Sequence, residues 1–172
     1  MAMNEVILYD YWRSSASYRV RIALCLLGIP YRTEPIDLVA GMHKSPEFRE
    51  RNPQGLVPAL QIDGVLLTQS LAIIEYLDET QKEAGFLPKD AVGRQHVRAL
   101  SHVIAMDIHP VCNLGVVGNV MKMAEAHGDD PTEIRLAWMR KYIAEGLNAF
   151  ERLLDPANSG GFCHGDRPSM AD

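Results

Sequence analysis

The apolar positions near the start of the chain change period twice, and these changes predict a strand, a helix and a second strand. A continuous apolar run from Val6 to Tyr9 indicates a short buried strand. From about Ser15 to Leu27 the apolar residues recur at i, i+3, i+4 and i+7, which is one face of a helix. Gly28 and Pro30 end this helix, and polar and apolar residues alternate from Tyr31 to Leu38. The β-α-β order predicts two parallel strands joined by a right-handed crossover.

A hairpin and a further helix are predicted next. A loop with a short helix spans roughly Val39 to Arg51. Two apolar runs, residues 58–62 and 65–68, flank Asp63-Gly64, and Asp-Gly between such runs is a strong hairpin signal. The pattern from Gln69 to about Gln81 is that of a helix. The β-α-β unit is therefore followed by a β-β-α unit.

After a linker, the pattern becomes helical throughout. The linker, Lys82 to Asp90, contains glycine and proline and breaks the periodicity. Val92 to about Met106 forms one helical pattern, which we expect to continue past Pro110 with a kink. Pro131 and Thr132 open another predicted helix. Its apolar stripe is Ile143, Leu147, Phe150 and Leu154.

These patterns divide the chain into an α/β domain over residues 1–84 and an all-α domain over residues 90–172. A loop is predicted from Asn158 to Gly161. Ser169 to Asp172 has the S-x-x-D spacing of a capping box, which is typical of a helix start. A chance S-x-x-D is the alternative. We expect C-terminal helices beyond Asp172, so that the helical domain is incomplete in this sequence.

The composition is that of an ordinary globular protein, with 47% hydrophobic and 23% charged residues. With 17 basic and 22 acidic residues the net charge is −5, which disfavours nucleic acid and anionic membranes as partners. Cys25, Cys112 and Cys163 are odd in number and form no C-x-x-C pair, so neither a metal site nor a disulfide framework is indicated. We expect a cytoplasmic protein, because the cysteines fit reduced thiols and the N-terminus has no signal pattern. The sequence also has no apolar run approaching ~20 residues.

The richest candidate site lies where the first strand meets the first helix, at Ser14 and Ser15. A helix that begins among serines offers free N–H groups and the positive end of its dipole, where an anion or a thiolate can be held. No cysteine lies in this turn. Arg19, near the first turn, is a cation that opposes the dipole, and a bound anion would remove that penalty. A simple N-cap with solvated arginines is the alternative.

Three further elements are candidates, each with a structural alternative. A cis Val57-Pro58 bond would turn the Val57 backbone toward a ligand, whereas a trans bond would make Pro58 an ordinary edge-strand proline. Gln69-Ser70 begins a helix, and Ser70 either caps it or helps to hold a carboxylate. The polar residues of the third element lie in or near apolar segments. They are His109 and Asn113, which would share a helix face and line a cleft, and His43 in the loop before Pro46. The structural alternative is a histidine hydrogen-bonded within the core.

The order of these elements resembles the cytosolic glutathione transferases, which combine a thioredoxin-like domain with an all-helical domain. Ser14 to Leu24 closely resembles the signature of their zeta class. The similarity covers essentially the whole chain. It continues through Asn52–Leu60, Gln69–Leu77, Asp107–Pro110 and Gly165–Asp172.

The resemblance implies glutathione as cofactor. Ser14 would then hydrogen-bond the glutathione sulfur, with Ser15 beside it, and Val57 would pair with the backbone of the glutathione cysteine. Gln69 and Ser70 would bind the γ-glutamyl carboxylate. The other matched contact positions are His43, Gln54, Pro58, His109 and Asn113.

The zeta class includes the maleylacetoacetate isomerases, so the resemblance implies cis–trans isomerisation of maleylacetoacetate to fumarylacetoacetate in tyrosine and phenylalanine breakdown. The glutathione thiolate would add, the former double bond would rotate, and the thiolate would leave. Arg13 is available for a carboxylate of the dicarboxylate-like substrate or for the developing enolate. Alternatives are maleylpyruvate isomerisation, transfer onto small α-halo acids, and a non-catalytic glutathione-binding module.

Two departures from the family bear on these expectations. Many zeta enzymes have cysteine where this chain has Ala16, so the sulfur must come from glutathione. The maleylpyruvate enzyme has arginines where this chain has Leu114 and Gly115, which favours maleylacetoacetate as substrate. The family also implies a homodimer.

Overall fold

The computed structural model describes residues 5–154 and 159–172. The chain separates into two compact units, Met1–Phe86 and Leu87–Asp172. Asn158, part of a predicted loop, lies outside the described residues.

The first unit is a four-stranded mixed sheet with helices. In chain order it contains β1 (Ile7–Asp10), α1 (Ser15–Leu26), β2 (Arg32–Pro35), a 3-10 turn (Met42–Lys44), α2 (Pro46–Arg51), β3 (Ala59–Ile62), β4 (Val65–Thr68) and α3 (Ser70–Thr80). The strand order is β2-β1-β3-β4. β1 is parallel to β2 and antiparallel to β3, and β4 is antiparallel to β3. The predicted order of strands and helices is confirmed.

Apolar side chains of the two central strands and of two helices form the core of this unit. Leu8 of β1 lies opposite Leu60 of β3, and α1 packs against α3. Burial of such side chains is worth about 1.5–3 kcal/mol each, which makes this cluster a rigid support for the loops at its edge. The largest fully buried apolar side chains of this unit are Leu8, Val20, Leu24, Leu60, Ile73 and Leu77.

The hairpin between β3 and β4 turns at Asp63-Gly64, as predicted. Both residues have positive φ, 53° and 79°, which suits the twist of a two-residue hairpin. The Tyr76 hydroxyl donates to the Asp63 carboxylate at 2.9 Å and ties the turn to α3.

The second unit is helical. It contains α4 (Ala91–His102), a π-helical stretch (Val103–Ile108), α5 (His109–Cys112), α6 (Leu114–His127) and α7 (Pro131–Leu153). Pro110 lies in the first turn of α5, where a missing N–H is harmless, and the helix passes through it as predicted. The helix ends instead before Asn113, whose backbone is extended and which caps the start of α6.

The predicted helix that opens at Pro131 is confirmed as α7, but its apolar stripe is only partly covered, with Ile143 and Phe150 half-buried. Leu147 is 49% exposed, α7 has no buried residue among those described, and Leu154 lies beyond its end. The helix packs through other positions: a Cβ on Gly146 would overlap the Ile108 side chain, and the Trp138 ring N–H donates to the Val111 carbonyl at 2.9 Å. The periodicity predicted which residues form the apolar face of α7, but it did not predict which residues pack against that helix.

Half of the predicted capping box forms at the end of the described chain: the Asp172 carboxylate accepts from the Ser169 N–H, but the Ser169 hydroxyl oxygen accepts from the Ala171 N–H at 3.2 Å and not from the Asp172 N–H. Both the N–H and the hydroxyl of Ser169 donate to the Asp172 carboxylate, at 2.8 and 2.7 Å. The backbone N–H of Cys163 donates to the other carboxylate oxygen at 2.8 Å. This aspartate therefore joins two loops of the second unit.

One helical run, Ala91–His127, is long and apolar enough to cross a membrane by length and composition, with a mean hydropathy of 1.3 over its most apolar part. A single run of this kind is weak evidence of a span, because packed core helices meet the same criteria.

Candidate active site

Ser14 caps the N-terminus of α1. Its backbone is extended, and its hydroxyl oxygen accepts from the Ser17 N–H at 3.1 Å. A serine hydroxyl that accepts one hydrogen bond still carries an O–H that can donate to a ligand. The structural alternative of a capping serine is therefore correct, and it is compatible with the functional role. Ser15, the first helical residue, is exposed.

Arginines surround the turn between β1 and α1. The exposed Arg13 guanidinium lies 5.6 Å from the centre of the Trp12 indole. Arg21 holds the turn from the helix side: it donates to the Trp12 carbonyl at 3.1 Å and approaches the buried Asp10 carboxylate at 3.7 Å. The turn that presents Ser14 is thus fixed by side-chain contacts.

A cleft of about 240 Å³ opens beside this turn, at the carboxyl ends of β1 and β2. Ligands of α/β sheets bind at such strand ends. The cleft is lined by Asp10, Tyr11, Trp12, Thr33, Pro35, Ile36 and Asp37.

The Val57-Pro58 peptide bond is cis, so the first of the two alternatives for this proline holds. Asn52, a residue that sequence reasoning missed, holds the loop before it. Asn52 is only 2% exposed, its amide donates to the Leu56 carbonyl at 2.7 Å, and its side-chain oxygen accepts from the Gln54 N–H at 3.2 Å. The Asn-Pro-x-Gly spacing could have indicated an asparagine that orders a turn.

His43 lies against the same loop. Gly55 has a φ of +60°, and a Cβ there would lie 2.7 Å from the His43 carbonyl oxygen. The His43 Nδ1 atom is buried and has no hydrogen-bond partner among the described residues. Burial, with contributions from Lys44 and Arg49, lowers the pKa of His43 below its usual range. The imidazole is therefore neutral at pH 7.

The N-terminus of α3 has no side-chain cap. Ser70 is its first residue, so the alternative in which Ser70 simply caps the helix is wrong. Gln69 precedes it with a φ of 68°, a conformation that non-glycine residues rarely adopt and that clusters at functional sites. The Gln69 amide donates to the Gln54 side-chain oxygen at 2.8 Å, and the buried Ser70 hydroxyl accepts from Arg19 at 3.0 Å.

The topology brings these groups to one edge of the sheet. The end of β1, the start of β3 and the end of β4 share an edge because β3 is antiparallel to both neighbours. Ser14 lies four residues after β1, Val57 two residues before β3 and Ser70 two residues after β4. Two helix N-termini therefore meet there, and neither has an acidic residue in its first turn. Such an edge can hold an anion at each helix end.

His109 and Asn113 belong to the second unit. They do not share a helix face as expected: His109 begins α5, and Asn113 has left it. The Asn113 side-chain oxygen caps α6 by accepting from the Val116 N–H at 3.0 Å. Leu114 and Gly115 form the first turn of α6.

Among the described residues, no group of three or more His, Cys, Asp or Glu side chains is arranged to hold a metal ion.

A mixed sheet with this strand order, a cis-proline just before the third strand and a following helical unit define the class of glutathione transferases. The family model described as the N-terminal domain of glutathione S-transferase matches residues 13–80. The chain is 63% identical over 169 residues to the maleylacetoacetate isomerase of Rhizobium meliloti, covering 98% of this chain and 78% of that protein. It is 42% identical over 167 residues to the maleylpyruvate isomerase of a Ralstonia species, covering 96% and 76%.

Solved structures of similar fold have the same family names as these relatives. A maleylpyruvate isomerase described as a bacterial zeta-class glutathione transferase superposes with a TM-score of 0.88 at 41% identity, covering 96% of this chain and 76% of that one. A maleylacetoacetate isomerase of Methylobacterium extorquens AM1, with malonate and glutathione bound, gives a TM-score of 0.87 at 42% identity with the same coverage. The chain belongs to the zeta class of the glutathione transferases, in the family of the maleylacetoacetate isomerases.

Proposed function

We propose that the protein is a glutathione-dependent isomerase that converts maleylacetoacetate to fumarylacetoacetate. The observation that carries the proposal is the meeting, at one sheet edge, of the Ser14-capped N-terminus of α1 and the uncapped N-terminus of α3. The 63% identity to a maleylacetoacetate isomerase supports the choice of substrate.

The residues at this edge fit glutathione. Ser70 and the free N–H groups of α3 would hold the γ-glutamyl carboxylate, while the Val57 backbone would pair with the cysteinyl residue. Gln54, whose side-chain oxygen accepts from the Gln69 amide, completes the polar lining, and the His43 imidazole lies against the same loop. Bound glutathione supplies a thiolate that adds reversibly to the conjugated double bond, so that the bond can rotate while single.

Ser14 has the task of favouring the thiolate. A thiol with a pKa near ~8.5 is only a few per cent ionised at pH 7, and a shift of ~2 units requires about 2.7 kcal/mol of differential stabilisation. A hydroxyl that donates to the charged sulfur contributes about 1.5–3 kcal/mol, and the helix N-terminus adds about 0.3–1 kcal/mol. The geometry of Ser14 at the start of α1 can therefore supply the shift.

Arg13 is the residue for the substrate carboxylate. It is exposed and lies in the chain between Ser14 and Trp12, which lines the cleft, and arginine pairs with carboxylates in a bidentate way. The similar Methylobacterium structure holds malonate together with glutathione, which supports a dicarboxylate substrate. Ala16 offers no sulfur, so the chain itself has no thiol nucleophile in this turn.

Maleylpyruvate is the second candidate substrate, because one relative and one structural neighbour are named for it. Against it, Leu114 and Gly115 stand where that enzyme has arginines. Small α-halo acids are a third possibility for the same thiolate.

Steady-state assays of the purified protein with each substrate separate the candidates. We expect the highest kcat/KM with maleylacetoacetate and production of the trans isomer. A higher kcat/KM with maleylpyruvate would reassign the substrate. Glutathione binding without turnover of any of the three would leave only a binding module.

We also infer that the protein acts as a homodimer in the cytoplasm, in aromatic amino-acid breakdown. The family supports the dimer and the pathway, and free thiols at Cys25, Cys112 and Cys163 fit a reducing compartment. Sedimentation of the purified chain tests the dimer, and a single-protomer mass would contradict it.

A further inference from the structure

Arg19 makes a contact that joins the two helix N-termini of the site. Its guanidinium Nη1 donates to the Ser70 hydroxyl oxygen at 3.0 Å, across 51 residues of sequence. Arg19 is half-buried in the second turn of α1, and Ser70 is 7% exposed at the start of α3. We propose that Arg19 is a positioning residue that strengthens binding of the γ-glutamyl carboxylate of glutathione through Ser70. This inference rests on the proposed function.

The hydrogen bond decides what the Ser70 hydroxyl can do. A hydroxyl has one proton to donate, and its oxygen can accept. Because the guanidinium has only donors, Ser70 must act as the acceptor toward Arg19. The O–H of Ser70 is then available for an acceptor, and a ligand carboxylate at the α3 N-terminus is such a group. Polarisation by the guanidinium makes this O–H a stronger donor.

The charges around Arg19 also favour binding of an anion near the start of α3. Arg19 forms none of the ion pairs seen among the described residues, and the first turns of α1 and α3 carry no acidic residue. Burial lowers the pKa of Arg19, although a guanidinium stays charged at any working pH. A half-buried cation therefore lies close to the positive end of α3, an unfavourable arrangement unless an anion compensates it.

A purely structural role predicts a different outcome. If Arg19 only packs α1 against α3, its loss weakens every interaction of the site alike. If it acts on the carboxylate, its loss matters only for ligands that carry that carboxylate. A glutathione analogue with 4-aminobutyryl in place of γ-glutamyl lacks this group alone and separates the two roles.

The test is calorimetric binding of glutathione and of this analogue to the wild-type chain and to Arg19→Gln. We expect Arg19→Gln to weaken glutathione binding about tenfold, equivalent to about 1.4 kcal/mol, while analogue binding changes less than about twofold. Arg19→Lys, which keeps a charged donor, should retain most of the preference for glutathione. Arg32→Gln is the matched control, because Arg32 is exposed at the start of β2, the opposite sheet edge.

Equal weakening of both ligands in Arg19→Gln, or no weakening of either, would overturn the inference. If Arg19→Gln does not fold, Arg19→Met, which keeps the apolar stem and removes the donor, takes its place. We expect it to weaken glutathione binding and to leave analogue binding nearly unchanged, and equal weakening of both ligands would overturn the inference. Failure of the wild-type chain to bind glutathione at all would instead refute the proposed function, so the two failures are distinguishable.

Discussion

At the scale of single residues, Ser14 has two tasks that a substitution can separate. Its oxygen caps α1 through the Ser17 N–H, and its O–H is free for the glutathione sulfur. Loss of a serine cap to alanine lowers the free energy of unfolding by about 1 kcal/mol, whereas replacement by glycine lowers it by only a few tenths. Glycine therefore removes the catalytic hydroxyl with little damage to the helix.

We predict that Ser14→Gly lowers turnover at pH 7 by about 10- to 100-fold, because the thiolate loses a charge-assisted hydrogen bond worth about 1.5–3 kcal/mol. The apparent pKa of the bound thiol should rise by about 1–2 units, measured by the ultraviolet absorbance of the thiolate. Ser14→Thr should keep both values near wild type. Asp130→Ala, which removes the cap of α7, is the control for stability without chemistry. An unchanged thiol pKa in Ser14→Gly would refute the role.

At the scale of elements, the loop between α2 and β3 depends on one close backbone approach. Gly55 combines a φ of +60° with a hypothetical Cβ contact of 2.7 Å to the His43 carbonyl. Gly28, at the end of α1, has a φ of +63° but open space around it. The two glycines share the conformation and differ only in their surroundings.

We predict that Gly55→Ala lowers the free energy of unfolding by more than Gly28→Ala, which should lose only about 1–2 kcal/mol for the left-handed conformation. Gly55→Ala should also weaken glutathione binding, because His43, Gln54 and Val57 lie on the displaced backbone. Urea unfolding and calorimetry measure the two effects. Equal stability losses and unchanged binding in Gly55→Ala would contradict the arrangement of this loop.

Element order was predictable because its signals are local. The periodicity of α1 and the Asp63-Gly64 turn need only neighbouring residues, and both were confirmed. The break at Asn113 was not, since an asparagine within a helical pattern does not reveal that it is a cap. The contact of Arg19 with Ser70 could not be predicted, because it depends on how α1 and α3 pack. The sequence motifs therefore indicated which residues form the site, whereas the hydrogen bonds between those residues depend on how the helices pack.

At the scale of the whole molecule, the three thiols should differ in reactivity and none should be needed for turnover. Cys25 is exposed, whereas burial raises the pKa of Cys112, and burial with the Asp172 carboxylate raises that of Cys163 to about 11. At pH 8 a thiol of that pKa is ionised in about one molecule in a thousand, and the thiolate is the reactive form.

We predict that iodoacetamide labels Cys25 first and Cys163 last, as followed by peptide mass spectrometry. Protein labelled only at Cys25 should retain its isomerase activity. Cys25 lies in the last turn of α1, ten residues after the start of the helix at Ser15 and thus about 15 Å along its axis. Cys25→Ser provides the control. Activity that falls in step with Cys25 labelling would contradict a site whose sulfur comes from glutathione.

The central claim is that this chain catalyses isomerisation with a thiolate borrowed from glutathione and returned intact. The direct measurement is the rate of maleylacetoacetate conversion by the purified protein, with and without added glutathione. In the reaction with glutathione, the concentration of free glutathione thiol is measured at the same time. The account predicts conversion to the trans isomer only when glutathione is present, with all of the glutathione recovered as free thiol. Conversion at the same rate without glutathione, or consumption of one glutathione per product, would contradict it.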